Sequence, residues 1–245
     1  MKKVYILPNL VTTANMFCGF NAIVSAIQGS YLNAAWLIIV AMVFDLMDGR
    51  IARLTRATSR FGVEYDSLSD LISFGMAPAM VSYLWCLKPW GRMGWLVAFI
   101  YLIGAALRLA RFNVFTEVVP KKYFQGLPSP IAAAGIATLI IFSNEIPLGS
   151  AQDDLVLGLL LFLGVLMIST IRFPSFKEFR IKRENAFLVL AAGIVILLTI
   201  ALKPEVALFA YVYLYIVLGF LHGAYCWAFG KKDAPEQPTL FGDHL

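Results

Sequence analysis

The apolar residues of this chain run in long blocks separated by short polar stretches, without the three-and-four spacing of an amphipathic surface helix. A helix that crosses a membrane needs about 20 mostly apolar residues. The pattern predicts eight such segments, near residues 10–28, 31–52, 65–87, 93–114, 128–146, 154–171, 186–202 and 205–229. The expected architecture is therefore an all-α integral membrane protein, an eight-transmembrane-helix bundle. Residues 1–230 form one membrane domain in this reading, followed by a polar tail at 231–245 that carries two prolines. Neither a low-complexity linker nor a repeat of fixed period interrupts it. The basic start is followed early by Pro8 and Asn9, and no small-residue cleavage site comes after them. That start predicts an uncleaved first helix rather than a signal peptide.

Composition agrees: 60% of residues are hydrophobic and 14% charged, where a soluble domain carries about 25% charged residues. The net charge of +5 is placed asymmetrically. Lys2, Lys3, Arg50, Arg53, Arg56, Arg60, Arg108, Arg111, Lys121, Lys122, Arg172, Lys177, Arg180, Lys182, Arg183, Lys231 and Lys232 fall on one side of the predicted bundle. Only Lys88, Arg92 and Lys203 fall on the other. Positive loops stay cytoplasmic, so both termini are expected there. The even number of spans demands the same. This basic charge orients helices, and it forms no stripe with stacking aromatics that would suit nucleic acid. Cys18, Cys86 and Cys226 are odd in number and lie in apolar stretches, and the only histidines are His222 and His244. A disulfide framework, a zinc site and a bis-histidine haem site are all disfavoured.

Carboxylates within a span are costly and mark function. Asp45 and Asp48 stand late in the second predicted span, three apart; Asp66 and Asp70 stand early in the third, four apart. Each pair therefore shares a helix face, and the short connection makes the two helices antiparallel neighbours. From Leu32 to Asp45 is 13 residues, roughly 20 Å of helix at about 1.5 Å per residue. In a hydrocarbon core about 30 Å thick, the acids sit just beneath the cytoplasmic surface rather than at the midplane, where a transporter holds its cargo. Four such carboxylates repel one another unless a cation lies between them. All-oxygen ligands suit Mg²⁺ or Mn²⁺, and a pair of ions would fit four acids. Two metals clamp a phosphoryl or pyrophosphate group. Gly49 and Ala52 share the acidic face and leave room for a nucleotide, Arg53 offers a fork of donors to phosphate, and Gly62 permits close approach one turn before Asp66. Ion pairing with Arg50, Arg53, Arg56 and Arg60 would not explain those small residues.

Written out, the segment 45–70 is Asp45-x-x-Asp48-Gly49-x-x-Ala52-Arg53, eight residues, Gly62, three residues, Asp66, three residues, Asp70. It resembles the full signature of the CDP-alcohol phosphatidyltransferases. The resemblance implies that Asp45, Asp48 and Asp66 hold metal, that Asp70 lies near a second ion and acts as general base, and that Gly49, Arg53 and Ser59 contact nucleotide or pyrophosphate. It also implies that Pro8, Asn9, Leu10 and Val11 lie over the CDP group. Three further stretches resemble the serine-using branch: Arg108-Leu109-Ala110-Arg111-Phe112-Asn113, Gly126-Leu127-Pro128-Ser129-Pro130, and Ile171-Arg172-Phe173-Pro174-Ser175-Phe176-Lys177. The eight spans suit that branch as well.

The implied reaction moves a phosphatidyl group from CDP-diacylglycerol to L-serine and releases CMP, in the cell (inner) membrane, on its cytoplasmic side and in a homodimer. The serine carboxylate needs a cation. Arg108 and Arg111, three apart on the fourth span, and Arg172 are the candidates, with Asn113, Gln125 and Ser129 as further polar contacts. Two competitors remain open: a sister enzyme that takes glycerol 3-phosphate or inositol phosphate, and a divalent-cation transporter.

Overall fold

The computed structural model describes residues 6–54, 59–116, 124–173 and 186–228. Among them the chain is helical, apart from one two-residue antiparallel pair. Six helices are long and apolar enough to cross a membrane: Leu7–Ile27, Tyr31–Ile51, Arg60–Trp90, Arg92–Val114, Gly149–Ile168 and Pro204–Cys226. Two shorter apolar helices, Ser129–Glu145 and Val189–Leu202, accompany them. These eight segments fall where the hydropathy blocks predict them. The basic residues Lys2, Lys3, Arg56, Lys121, Lys122, Lys177, Arg180, Lys182, Arg183, Lys231 and Lys232 and the tail 231–245 lie outside the described residues, as do the side chains of Ala52, Arg53, Gln125 and Arg172.

Helix α1 (Ile6–Ile27) starts earlier than expected, because a proline is tolerated in a helix's first turn, where its missing N–H has no partner to lose. It ends in a left-handed glycine, Gly29 at φ 80°. There Ser30 N donates to Ser25 O and Gly29 N to Ala26 O, closing the last turn. Helix α2 (Tyr31–Leu54) returns antiparallel to α1 and packs along it. Ser59, in extended backbone, caps α3 (Arg60–Asp70) by accepting from Gly62 N at 3.0 Å.

The third span departs from a simple helix. After α3 it passes through a π-helical turn (Leu71–Met76), α4 (Ala77–Ser82), a second π-helical turn (Tyr83–Leu87) and a 3₁₀ turn (Lys88–Trp90). Ala77 N donates to Ile72 O, five residues back. The wide turn sits directly before Pro78, which has no N–H to offer and whose ring crowds the preceding turn. A run of hydrophobic residues does not report that change of backbone register.

Helix α5 (Arg92–Thr116) packs on α7 (Gln152–Ile168), and α6 (Ser129–Glu145) runs through the middle, against α2 and α9 (Pro204–Ala228). Ten consecutive residues of α6, Ala132 to Ile141, are buried. A helix apolar all round belongs inside a bundle. Small residues permit the close crossings that membrane helices favour. A Cβ on Gly104 would lie 2.6 Å from Gly164 O, and one on Gly164 would lie 3.0 Å from Tyr101 Cα. Helix α8 (Ala186–Leu202) leans on α9 and exposes Leu190, Val195, Leu197 and Leu198. Such a surface suits lipid rather than water.

The strands β1 (Phe124–Gln125) and β2 (Arg172–Phe173) pair antiparallel. They tie the segment before α6 to the segment after α7. Phe173 is fully buried beside Gly219 of α9, where a Cβ would come 2.4 Å from its ring.

Candidate active site

Four carboxylates meet at one end of α2 and α3. Oxygens of Asp45, Asp48 and Asp66 all lie within 4.8 Å of one another. Asp48 is buried, while Asp45 and Asp66 are half-buried. Asp70 stands one turn beyond Asp66 on α3, close enough for its charge to act on Asp45, Asp48 and Asp66. The helical spacings therefore place the pairs face to face, as the sequence pattern requires.

Helix α1 positions this cluster from a third side. Thr12 Oγ1 donates to Asp48 Oδ2 at 3.0 Å, and Asn15 Nδ2 donates to Asp70 Oδ1 at 3.3 Å. The helix is pinned in register from α3 and the π turn. Ser69 Oγ donates to Thr12 O and Ser73 Oγ to Asn15 O, both at 3.0 Å, and Thr13 shares a hydrogen bond with Tyr65 at 2.9 Å. A Cβ on Gly19 would sit 2.4 Å from Ser73 Oγ, so no larger residue allows this approach. Thr12 and Asn15 escaped the sequence reading. Their signal was present: two polar residues three apart in an apolar helix, repeating the spacing of Asp45 and Asp48.

Arg108 approaches from α5. Its Nη1 donates to Ser129 Oγ at 2.8 Å, and its charge acts on Asp70 and Asp45. The structure thus joins two of the residues expected to hold serine. Arg111 is tied to α7. Its guanidinium donates to the carbonyls of Ile168 (3.0 Å), Ser169 (3.3 Å) and Met167 (3.4 Å), closing the end of α7. Asn113 Nδ2 donates to Ser67 Oγ at 3.0 Å and fastens α5 to α3. Gln125 and Arg172 are backbone partners in the β1–β2 register.

Pro8, Asn9, Leu10 and Val11 occupy the first turns of α1, with Pro8 buried. A Cβ on Gly62 would lie 3.2 Å from Ser59 Oγ and 3.6 Å from Asn9 Oδ1, so Asn9, Ser59 and Gly62 form one corner beside the acids. Gly49 follows Asp48 directly on α2.

Among the described residues, the buried side-chain atoms without a hydrogen-bond partner are Asn15 Oδ1, Asp66 Oδ1 and Arg108 Nε. All three belong to this site. Most buried polar atoms in native proteins are paired, so such exceptions mark places built for something else. The clustered oxygens and the orphaned Asp66 Oδ1 fit a hard divalent cation.

The described helices thus carry, at one end of the bundle, an acidic cluster that could hold a cation, bordered by Arg108. The chain matches the CDP-alcohol phosphatidyltransferase family over residues 5–228 and belongs to it. It is 36% identical over 222 residues to the CDP-diacylglycerol–serine O-phosphatidyltransferase of Helicobacter pylori strain J99, covering 90% of this chain and 92% of that one. Proteins of the same name from Bacillus subtilis (35% identity, 70% of this chain and 92% of the relative) and Saccharomyces cerevisiae (38%, 62% and 61%) are also similar.

Proposed function

We propose that this protein transfers the phosphatidyl group of CDP-diacylglycerol to L-serine, giving phosphatidylserine and CMP. The observation that carries the reading is the convergence of Asp45, Asp48 and Asp66 beside Asp70 and Arg108. The names of its relatives support the substrate pair. The sister acceptors, glycerol 3-phosphate and inositol phosphate, bring an additional phosphate; among the described residues, Arg108, bonded to Ser129 Oγ, is a cationic group whose charge acts on Asp70.

In this reading the lipid lies in the cytoplasmic leaflet, with its CDP group near Pro8, Asn9, Leu10, Val11, Gly49, Ala52, Arg53, Ser59 and Gly62. The two shorter helices also cross the membrane, both termini are cytoplasmic, and the protein works as a homodimer. The bias of Lys and Arg to one side supports the orientation. Mg²⁺ or Mn²⁺ held by Asp45, Asp48 and Asp66, with a second ion beside Asp70, supplies neutralisation of the pyrophosphate when bound.

Asp70 takes the proton from the serine hydroxyl. That oxygen attacks the phosphorus that carries diacylglycerol, the bond from this phosphorus to the bridging oxygen breaks, and CMP leaves with that oxygen. Arg53 holds the charge of the leaving nucleotide. Asn15 Nδ2 donates to Asp70 Oδ1 and fixes its orientation. Arg108 binds the serine carboxylate, oriented by Ser129. Proton removal by a placed base contributes about 10²–10⁴-fold. Asp70→Asn is the test: CMP release is lost while labelled CDP-diacylglycerol still binds. Retention of near-normal turnover contradicts the assignment.

A further inference from the structure

Serine carries three features: a hydroxyl, a carboxylate and an ammonium. The reading above gives the hydroxyl to Asp70 and the carboxylate to Arg108, and leaves the ammonium without a partner. An ammonium is a donor only, so it needs an acceptor. We infer that Asn15 is that acceptor, and that its carboxamide oxygen is the element that selects an amino acid over other alcohols.

The geometry begins with burial. Asn15 is 0% exposed, in an apolar helix where an amide is out of place. Its Nδ2 donates to Asp70 Oδ1. With Asp70 ionised as the base, its oxygen accepts, and the nitrogen end of the amide faces it. The oxygen Oδ1 then sits on the same planar group, beside the base, buried and without a partner. A buried carbonyl left unpaired is costly. The backbone cannot relieve it, because Ser73 Oγ holds Asn15 O and Gly19 fits tightly against Ser73.

The orphaned atoms of the site are complementary to zwitterionic serine bound beside a metal. Asp66 Oδ1 awaits a cation, Arg108 Nε awaits a carboxylate oxygen, and Asn15 Oδ1 awaits a donor. Arg108 and Asn15 both adjoin Asp70, so the carboxylate and the ammonium, both carried on serine Cα, are read beside the base that takes the proton of the Cβ hydroxyl.

The inference rests on serine being the acceptor and on Asp70 standing beside it, and the test separates the two. Purified protein in CDP-diacylglycerol micelles is assayed for CMP release with L-serine and with 3-hydroxypropionate, which is serine without its ammonium. In Asn15→Ala the KM for serine rises about 10–100-fold, the scale of one hydrogen bond to a charged group. The kcat falls for both acceptors, because Asp70 loses its Asn15 donor, but the KM for 3-hydroxypropionate stays in place, so selectivity falls by the factor by which the KM for serine rises. Asn15→Gln, which keeps both the amide donor and the amide oxygen, retains more of the preference for serine than Asn15→Ala does. An equal change in KM for both acceptors makes Asn15 a support for Asp70 alone and overturns the inference. A shifted Mn²⁺ requirement with unaltered selectivity assigns the oxygen to metal and overturns it too. If neither variant folds, the unmodified protein decides, since equal KM values for serine and 3-hydroxypropionate exclude an ammonium subsite. Turnover by Asp70→Asn would refute the base yet leave this acceptor ratio measurable.

Discussion

Thr12→Val removes one hydroxyl from the site and changes little else. Thr12 is 4% exposed, and its Oγ1 donates to Asp48 Oδ2 at 3.0 Å. The same hydroxyl also lies 3.1 Å from Pro8 O, the bond a threonine makes within its own helix. Valine keeps the shape and leaves the Asp48 oxygen without its donor in a buried setting. A hydrogen bond to a charged group is worth about 1.5–3 kcal/mol. That range corresponds to roughly 10–150-fold in any equilibrium needing the Asp48 carboxylate in place, and removing the partner of a metal ligand typically costs about 10–100-fold in metal affinity. The contact holding α1 to α3 through Thr12 uses its backbone carbonyl, so the variant keeps it. The assay is CMP release at fixed CDP-diacylglycerol and serine while Mn²⁺ is varied. The half-saturating Mn²⁺ concentration should rise by that factor, and turnover should largely recover at saturation. Thr12→Ser, which restores the hydroxyl, should titrate close to the unmodified protein. An unchanged titration in Thr12→Val, or an equal defect in Thr12→Ser, refutes the reasoning.

Two further outcomes follow from the packing. Gly104→Ala forces a methyl group against Gly164 O, which a Cβ would approach to 2.6 Å; overpacking of this kind costs about 1–3 kcal/mol, so the melting temperature in detergent should fall. Arg108 and Arg111 should separate by phenotype although they are three residues apart. Arg111→Ala unties the carbonyls of Met167, Ile168 and Ser169 and should lower thermal stability with the KM for serine unchanged, whereas Arg108→Lys should raise that KM without altering the KM for CDP-diacylglycerol.

The acidic cluster was legible because helical periodicity is rigid. Spacings of three and four residues, on helices joined by a short connection, leave few arrangements other than the one in which Asp45, Asp48 and Asp66 meet. The apolar blocks were legible for a similar reason, since length and hydropathy bound a span. Element ends were less so. Helix α3 starts at Arg60 rather than near 65, because Ser59 caps it ahead of the apolar run. Helix α7 stops at Ile168 rather than near 171, where Ser169 turns extended and Arg111 collects the last carbonyls. The π turns around Pro78 depend on backbone register, which side-chain hydropathy does not encode. Asn15 and Thr12 were overlooked because a single amide and a single hydroxyl in an apolar helix look incidental until the helix that faces them is known. Arg111 shows the opposite case. It shares a helix face with Arg108, yet one turn of helix places it against α7 rather than against Ser129.

The most direct test is Mn²⁺ binding to the purified protein without substrate, followed by electron paramagnetic resonance, comparing the unmodified chain with Asp66→Asn. Saturable bound Mn²⁺ in the first and its loss in the second is the predicted result. Equal Mn²⁺ affinity in both, or none in either, would contradict a metal centre built from these membrane carboxylates.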